Sequence, residues 1–343
     1  MLDDLKLIHE QDAQDALGIA EKQWQQLQHD YEVNLGLPTQ SIDNVVFGGM
    51  GGSALGALIA QSWPGFNKPF EISRNYEIPD YVSNNTLFFA SSYSGNTEET
   101  ISALQAAEIK NAGIIVITSG GKLAEIARDK GYPLLILPAG LQPRHAVLYS
   151  FKALLSVTDA IGLSAGAGDE LASKAEFLQN SINAWVPIIP SDKNQAKQIA
   201  LDVIGKSIVV YGGPKLWPAT YKWKISFNEN AKHIAWANQY PEFNHNEFIG
   251  WTKQPVDKPY AVIDLRSSLE NPRIQKRFEV SERLLSGVRP HPIIVEAEGQ
   301  DLLEQLLWTI ALGDFVSIYT ALLNGINPTP VDLIEKFKKV LDE

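Results

Sequence analysis

Short apolar segments alternate with longer amphipathic ones along most of this chain, and this alternation restricts the fold more than any other feature. In the first half, five apolar segments have the length of a strand: Asn44–Phe47, Phe70–Ser73, Thr86–Ser91, Gly113–Thr118 and Pro133–Leu137. Most are apolar at consecutive positions, as expected for strands that are buried on both faces. Helical patterns separate several of them, which predicts right-handed crossovers and a parallel sheet.

The same alternation restarts in the second half, after a stretch rich in Gly, Ala and Ser at 162–168. Strands are predicted at Ser207–Tyr211, Ile234–Ala237, Ala261–Leu265 and Ile293–Glu296. We therefore predict an α/β protein with two doubly wound parallel-sheet domains in tandem, 1–187 and 188–343, on a similar plan. Roughly the first 30 residues have helical spacing and are predicted to form one amphipathic helix.

Composition excludes several classes of function. The net charge of −11 argues against non-specific binding to nucleic acid or to an anionic membrane, since both need a dense positive surface. Cysteine is absent, which excludes disulfides, thiolate catalysis and zinc–thiolate sites. The polar N-terminus does not resemble a signal peptide, and no apolar run reaches the ~18 residues of a membrane span. We expect a cytoplasmic protein.

A glycine-rich segment follows the first predicted strand and opens a helix, Gly48-Gly-Met-Gly-Gly-Ser53. Glycine lets the backbone approach a ligand, and a helix N-terminus presents free N–H groups to an anion. The pattern from Gly49 to Ala54 also fits a loose dinucleotide fingerprint, with Glu71 where a ribose-binding acid would be. A phosphate-type ligand is favoured over a dinucleotide and over a tight turn without a ligand.

Three hydroxyl residues, Ser92, Ser94 and Thr97, follow the third predicted strand, with a turn at Gly95 and Asn96. Hydroxyls, turn N–H groups and a helix dipole together suit a phosphate without lysine. The alternative is a plain N-cap by Ser94 or Asn96, which leaves the other hydroxyls unused. Both motifs end strands of one sheet and are expected to converge at its carboxyl edge, which favours a monophosphate.

The run Ser92-Tyr-Ser-Gly-Asn-Thr97, preceded by Gly51-Gly-Ser53, resembles the sugar isomerase (SIS) domain. In that family these serines and threonines hold the phosphate of a phosphosugar. The resemblance implies that the substrate is bound by Gly52, Ser53, Ser92, Ser94 and Thr97.

Arg144 follows the last predicted strand of the first domain, within Pro143-Arg-His145. An arginine at this edge can stabilise a developing enediolate, although a surface ion pair fits the residue type as well. The isomerases carry a Pro-Arg here, and the resemblance implies that Arg144 faces the reacting carbons.

The most specific motif is Phe227-Asn-Glu-Asn-Ala-Lys232, followed by His245 in Asn244-His-Asn-Glu247. An aldose–ketose isomerisation needs a base for the C1–C2 proton transfer and an acid–base group that opens the ring, and a carboxylate and a histidine suit these roles. Taken singly, a solvated carboxylate and a satisfied histidine explain them better. As a block they resemble the bifunctional phosphoglucose/phosphomannose isomerases, which implies that Glu229 is the base and that His245 opens the ring from the partner subunit of a homodimer.

A lysine from the last helix assists ring opening in that family. By the Phe-Lys step after Asn327-Pro-Thr-Pro-Val331, the matching residue is Lys338, with Lys336 and Lys339 in neighbouring registers. A solvated cationic helix end is the alternative for each of them.

The resemblance implies an enzyme that interconverts glucose 6-phosphate, mannose 6-phosphate or both with fructose 6-phosphate through a cis-enediol, with no metal and no cofactor. Three alternatives stay open. The chain could be a non-catalytic sugar-phosphate regulator, an aminosugar-phosphate isomerase or deaminase of the same fold, or a nicotinamide-dependent oxidoreductase that uses Gly49–Ala54.

Overall fold

The computed structural model describes residues 1–33, 36, 41–253 and 259–341, and the chain divides into two units. The first unit is Gln23–Glu176, and the second unit is Met1–Lys22 together with Phe177–Glu343. The domains predicted from the sequence, 1–187 and 188–343, have different bounds. The N-terminal segment is held in the second unit by an ion pair between Asp3 and Lys197 (3.0 Å). No local sequence pattern predicts this ion pair.

One parallel five-stranded sheet forms the centre of the first unit, with strand order β2-β1-β3-β4-β5. Its strands are β1 (Asn44–Gly49), β2 (Phe70–Ser73), β3 (Thr86–Ser91), β4 (Gly113–Thr118) and β5 (Leu134–Ile136). Every residue of β3 and β4 is buried, as the continuous apolar runs predict. The five predicted strands and the parallel sheet are confirmed. The strand order reverses between β1 and β3, the place where doubly wound sheets bind ligands.

A parallel four-stranded sheet forms the centre of the second unit, with order β7-β6-β8-β9. Its strands are β6 (Ser207–Gly212), β7 (Ala235–Gln239), β8 (Tyr260–Arg266) and β9 (Ile293–Glu296). This is the order of the first four strands of the other sheet, with β6 in the place of β1. The predicted repetition of one plan is therefore present in the topology.

Fourteen α-helices occur in the described residues. In chain order they are α1 (Leu5–Gln11), α2 (Ala16–Glu21), α3 (Leu55–Ser62), α4 (Glu98–Ile109), α5 (Gly121–Lys130), α6 (Val147–Ala160), α7 (Ala167–Ser173), α8 (Ala175–Ile182), α9 (Gln195–Val203), α10 (Trp217–Glu229), α11 (Glu247–Gly250), α12 (Pro272–Leu284), α13 (Leu302–Leu323) and α14 (Asp332–Leu341). Helix α12 was not predicted, although its buried Ile274 and Phe278 have helical spacing.

Helix α13 is the core helix of the second unit, where it packs against α9 and α10. It has the length and apolar composition of a membrane span, contrary to the expectation from the sequence, but 94% of its most apolar window is buried inside the protein. A helix that is apolar on all sides suits such a position.

The single helix predicted for the N-terminus is wrong. Helix α1 ends at Gln11, because the carboxylate of Asp12 accepts the backbone N–H groups of Ala16 and Leu17 at 2.8 Å each. Asp15 then adopts a left-handed conformation with φ +55° and caps α2. Side-chain acceptors that compete for backbone N–H groups interrupt a helix in this way.

Candidate active site

Strands β1 and β3 of the first unit end side by side. Gly49 at the end of β1 is the register partner of Ser91 at the end of β3. The two loops that follow, with the glycine-rich and the hydroxyl motifs, therefore leave the same edge of the sheet at the reversal of strand order. Convergence of these two motifs was predicted from their positions after parallel strands.

The hydroxyl residues after β3 form one cluster. The hydroxyl oxygen of Ser92 lies 2.7 Å from that of Thr97 and 3.4 Å from that of Ser94. Two backbone N–H groups point into the same cluster, since Gly95 donates to Ser92 Oγ at 3.2 Å and Asn96 donates to Ser94 Oγ at 3.3 Å. We name Ser92, Ser94 and Thr97 the hydroxyl cluster.

These hydroxyls do not cap the helix that they precede. The N-cap residue of α4 is Thr97, and its side chain makes no capping hydrogen bond. The side chain of Asn96 instead accepts the backbone N–H of Lys122 at 3.0 Å. The interpretation of a plain N-cap by Ser94 or Asn96 is therefore wrong, and the N-terminus of α4 lies beside the hydroxyl cluster with no side chain capping it, as suits an anion.

Ser53 joins the two loops. Its hydroxyl accepts the backbone N–H of Tyr93 at 2.9 Å, which leaves the hydroxyl proton for another acceptor. Its backbone carbonyl lies 3.4 Å from the hydroxyl of Ser91. Ser53 thus lies against the loop that carries the hydroxyl cluster.

The backbone of Arg144 lies against Gly52, next to Ser53. A Cβ atom on Gly52 would lie 2.8 Å from the backbone nitrogen of Arg144 and 2.8 Å from the carbonyl carbon of Pro143, so only glycine permits this approach. Arg144 is 1% exposed, and its guanidinium lies 3.4 Å from the side-chain oxygen of Gln142. Arg144 therefore lies inside the fold and not at its surface, and the structure brings it together with Gly52.

In the second unit, Glu229 is the last residue of α10 and is half-buried. It lines a groove of about 810 Å³ between the end of α10, the start of β7 and the segment that leads into α14. Trp236 and Ile334 are among the apolar side chains of this groove, and Lys232 is among its cations. The groove therefore combines a carboxylate with an apolar wall.

A buried ion pair fixes α10 onto the core. The ammonium of Lys222 on α10 bonds to the carboxylate of Asp314 on α13, and the hydroxyl of Ser226 donates to the same carboxylate at 3.1 Å. Gly313 lets the indole of Trp223 lie close, since a Cβ there would meet its nitrogen at 2.3 Å. Gly313 and Asp314 on α13 thus anchor the helix that carries Glu229.

His245 and Lys338 are both exposed and do not line this groove. His245 ends a turn of 3₁₀ helix, Glu242–His245. Lys338 lies on α14, where its ammonium pairs with Glu335 at 2.9 Å. Within the second unit, the structure therefore brings Glu229 together with the segment before α14, but not with His245 or Lys338.

Strand β6 has the same place in its sheet as β1, so the sheet order would suggest a second anion site after β6. The carboxylate of Glu270 occupies the position after β6 instead. Glu270 accepts the backbone N–H of Lys215 at 3.1 Å, and a Cβ on Gly213 would lie 2.2 Å from its Oε2. Burial raises the pKa of Glu270 above its usual value. The side chain fills the position from inside the fold, so this edge differs from the one that carries the hydroxyl cluster.

Sequence reasoning gave no role to three side chains that make these contacts. Lys232 was visible within the Asn-Glu-Asn-Ala-Lys run but received no role, whereas Asp314 and Glu270 reach their partners across 92 and 55 residues of chain.

Among the described residues, no three or more His, Cys, Asp or Glu side chains lie together as a metal site requires.

Comparisons with known proteins agree with the fold described above. Residues 192–341 match the family described as the bacterial phospho-glucose isomerase C-terminal SIS domain. A glucose-6-phosphate isomerase-like protein from Thermus thermophilus has a similar structure, with a TM-score of 0.65 over 99% of both chains at 17% sequence identity. This likeness concerns the fold.

Two relatives extend the match to most of the chain. A D-glucosamine-6-phosphate 4-epimerase from Sulfolobus acidocaldarius is 32% identical over 71% of this chain and 75% of its own length. A bifunctional phosphoglucose/phosphomannose isomerase from Caldicellulosiruptor bescii is 36% identical over 93% of this chain and 96% of its own length. With its two SIS-type sheets and a match along nearly its whole length, the chain belongs to the family of bifunctional phosphoglucose/phosphomannose isomerases.

Proposed function

We propose that this protein interconverts both glucose 6-phosphate and mannose 6-phosphate with fructose 6-phosphate through a cis-enediol. The observation that carries the proposal is the hydroxyl cluster, in which Thr97 turns its side chain toward Ser92 instead of capping α4. Hydroxyls and free N–H groups at a helix start suit the phosphate of a sugar phosphate. The name of the relative from Caldicellulosiruptor bescii supports the reaction.

In this proposal the first unit binds the phosphate. Its oxygens accept hydrogen bonds from the hydroxyl groups of Ser53, Ser92, Ser94 and Thr97. The N–H groups at the start of α4 lie at the positive end of the helix dipole, which also favours an anion. Gly52 leaves the backbone open to close approach. No cationic side chain is required, because the phosphate is held by neutral donors.

The reaction moves one proton from C2 to C1 and one from O2 to O1. With the ring opened by His245 and Lys338, Glu229 takes the proton from C2 of the aldose, the C–H electron pair forms the C1–C2 double bond, and the electron pair of the C1 carbonyl moves onto O1. Protonation of O1 gives the enediol, and O2 loses its proton as the same carboxyl returns the first proton to C1 and C2 becomes the ketone. Arg144 stabilises the negative charge on the enediolate oxygens. The enediol carbons are planar, so one base serves both C2 epimers when the pocket permits rotation about C2–C3.

The decisive experiment follows fructose 6-phosphate conversion in the wild type and in Glu229→Gln, with glucose 6-phosphate and mannose 6-phosphate measured separately. We expect the wild type to form both products and the variant to lose both by about three orders of magnitude, because the amide cannot accept a proton. The exposed Glu279→Gln is the matched control and should keep full activity.

Each other outcome identifies an alternative. A wild type that forms neither product, yet whose melting temperature rises with fructose 6-phosphate, is a sugar-phosphate regulator. Activity on glucosamine 6-phosphate alone points to the aminosugar enzymes, in line with the epimerase relative. Absorbance of a bound nicotinamide cofactor points to an oxidoreductase.

The proposal includes a cytoplasmic homodimer in which His245 acts in the site of the partner subunit. The exposure of His245 supports it, as does α14, which buries none of its described residues and exposes Leu333, Phe337 and Val340. Mixing refolded Glu229→Gln and His245→Asn subunits tests it. If His245 acts across a two-fold interface, random pairing restores about one quarter of wild-type activity, whereas a histidine that acts within its own chain restores none.

A further inference from the structure

The ammonium of Lys232 lies among four backbone carbonyl oxygens from two separate segments. The carbonyls of Glu229 (3.0 Å) and Asn230 (3.2 Å) belong to the end of α10. Those of Asn327 (3.1 Å) and Pro328 (3.0 Å) precede α14. A lysine that merely caps a helix contacts the last carbonyls of that helix. Here two of the four acceptors lie 95 and 96 residues further along the chain, so Lys232 joins two segments.

The backbone at Lys232 is unusual as well. Its φ is +50°, in the left-handed region that side chains with a Cβ rarely adopt. Such a conformation persists where its surroundings hold it, and strained residues of this kind cluster at active sites. The turn that it makes directs the ammonium back toward the end of α10. Glycine would make the same turn more easily but could not supply the cation.

Both joined segments line the groove that contains Glu229. The end of α10 has buried anchors on α13: the Lys222–Asp314 pair and the hydrogen bond from the Asn230 side chain to the hydroxyl of Ser317 at 2.9 Å. The segment 327–334 accepts two bonds from Lys232, and Asn327 also donates an exposed hydrogen bond to the side-chain oxygen of Gln14 at 2.6 Å. Loss of the Lys232 ammonium should therefore loosen this segment and leave α10 in place.

We propose that Lys232 is a positioning residue for the isomerisation: it fixes the separation between the helix end that carries Glu229 and the segment that leads into α14. It does not touch the substrate, and it acts through the shape of the groove. The proposal rests on the proposed function of Glu229 as the base.

Three variants test it. Lys232→Met removes the cation, and Lys232→Arg keeps it. Lys206→Met is the matched control, because the ammonium of Lys206 donates to a carbonyl of its own preceding helix, that of Asp202. We expect Lys232→Met to lower kcat by about tenfold or more for both products, with KM for fructose 6-phosphate changed by less than about threefold. Lys232→Arg should recover most of kcat, and Lys206→Met should match the wild type.

Amide hydrogen exchange supplies a readout that does not depend on activity. In Lys232→Met, exchange should become faster at 326–334 and stay unchanged in α10. The proposal is overturned if kcat of Lys232→Met stays at the wild-type value, if arginine fails to rescue it, or if exchange rises equally in α10, which would mean a general loss of stability. A wild type without isomerase activity would instead refute the proposed function, and the exchange pattern would still test the link between the two segments.

Discussion

The hydroxyl oxygens of Ser92 and Thr97 lie 2.7 Å apart, although the two residues are five positions apart in the chain. Thr97 occupies the N-cap position of α4 without capping it, and Ser92 comes directly after β3. A hydroxyl that leaves a helix start uncapped forgoes about 1 kcal/mol of stabilisation. Such a local loss is expected where the residues serve a ligand.

The first prediction concerns this pair. Thr97→Val keeps the shape of the side chain and removes its hydroxyl. A hydrogen bond to a charged group contributes about 1.5–3 kcal/mol, so KM for fructose 6-phosphate should rise about tenfold to a hundredfold while kcat changes far less. Steady-state kinetics measure both. Ser173→Ala, which alters an exposed hydroxyl on α7, is the control, and an unchanged KM in Thr97→Val would contradict phosphate binding by the cluster.

The second prediction concerns the approach of Arg144 to Gly52. In Gly52→Ala the new methyl group meets backbone atoms at 2.8 Å, which cannot rotate away. We expect the free energy of unfolding to fall by about 1–3 kcal/mol and kcat to fall with it, because Pro143 and Arg144 must shift. Denaturant titration and kinetics check this. Gly250→Ala is the control, since a Cβ there meets nothing within 4 Å, and an equal loss in both variants would refute the explanation.

The third prediction concerns the buried pair that anchors α10. Lys222→Met leaves the carboxylate of Asp314 buried without its cation, which should cost about 3–5 kcal/mol of unfolding free energy. The double variant Lys222→Met/Asp314→Leu should recover most of this loss, because neither charge remains. Lys130→Met, in a pair with Glu108 at 2.6 Å whose lysine is 47% exposed, should cost less than about 1 kcal/mol. Equal losses for the two lysines would contradict a special role for Lys222.

The fourth prediction concerns pH. Burial raises the pKa of Glu270 above its ordinary value of 4.5. As pH rises through that ordinary value, the unfolded chain releases its proton before the folded protein does, so unfolding becomes easier until pH passes the raised pKa of the folded state. Glu270→Gln lacks this titration. Its stability relative to wild type, measured by denaturant titration, should therefore be higher at pH 7 than at pH 4, and a constant difference would contradict the assignment.

Several parts of the fold and of the site follow from local pattern. Strands β3 and β4 are apolar at consecutive positions, because both faces of a central parallel strand are covered by helices. The placement of Ser53 and Ser92 after neighbouring strands is equally predictable, since parallel strands end at one edge. The family resemblance, which was carried by the same motifs, is confirmed by relatives along most of the chain.

Other parts could not be predicted, because they depend on residues far apart in the chain. The residues near Lys232 do not predict that its ammonium bonds to the carbonyls of Asn327 and Pro328. The residues near Lys222 do not predict its ion pair with Asp314. The N-terminal helix was predicted too long. Helical spacing of apolar residues does not show that the Asp12 carboxylate accepts two backbone N–H groups and so ends the helix.

The sequence by itself determined the two parallel sheets, the edge at which the hydroxyl cluster lies and the identity of the groups that can carry the chemistry, because apolar periodicity and residues after strand ends are local properties. Only the tertiary structure decided that Thr97 faces Ser92 instead of its own helix, that Glu270 fills the corresponding place of the second sheet, and that Lys232 joins the end of α10 to the segment before α14. These contacts follow from the packing of distant segments, and no periodicity in the chain encodes them.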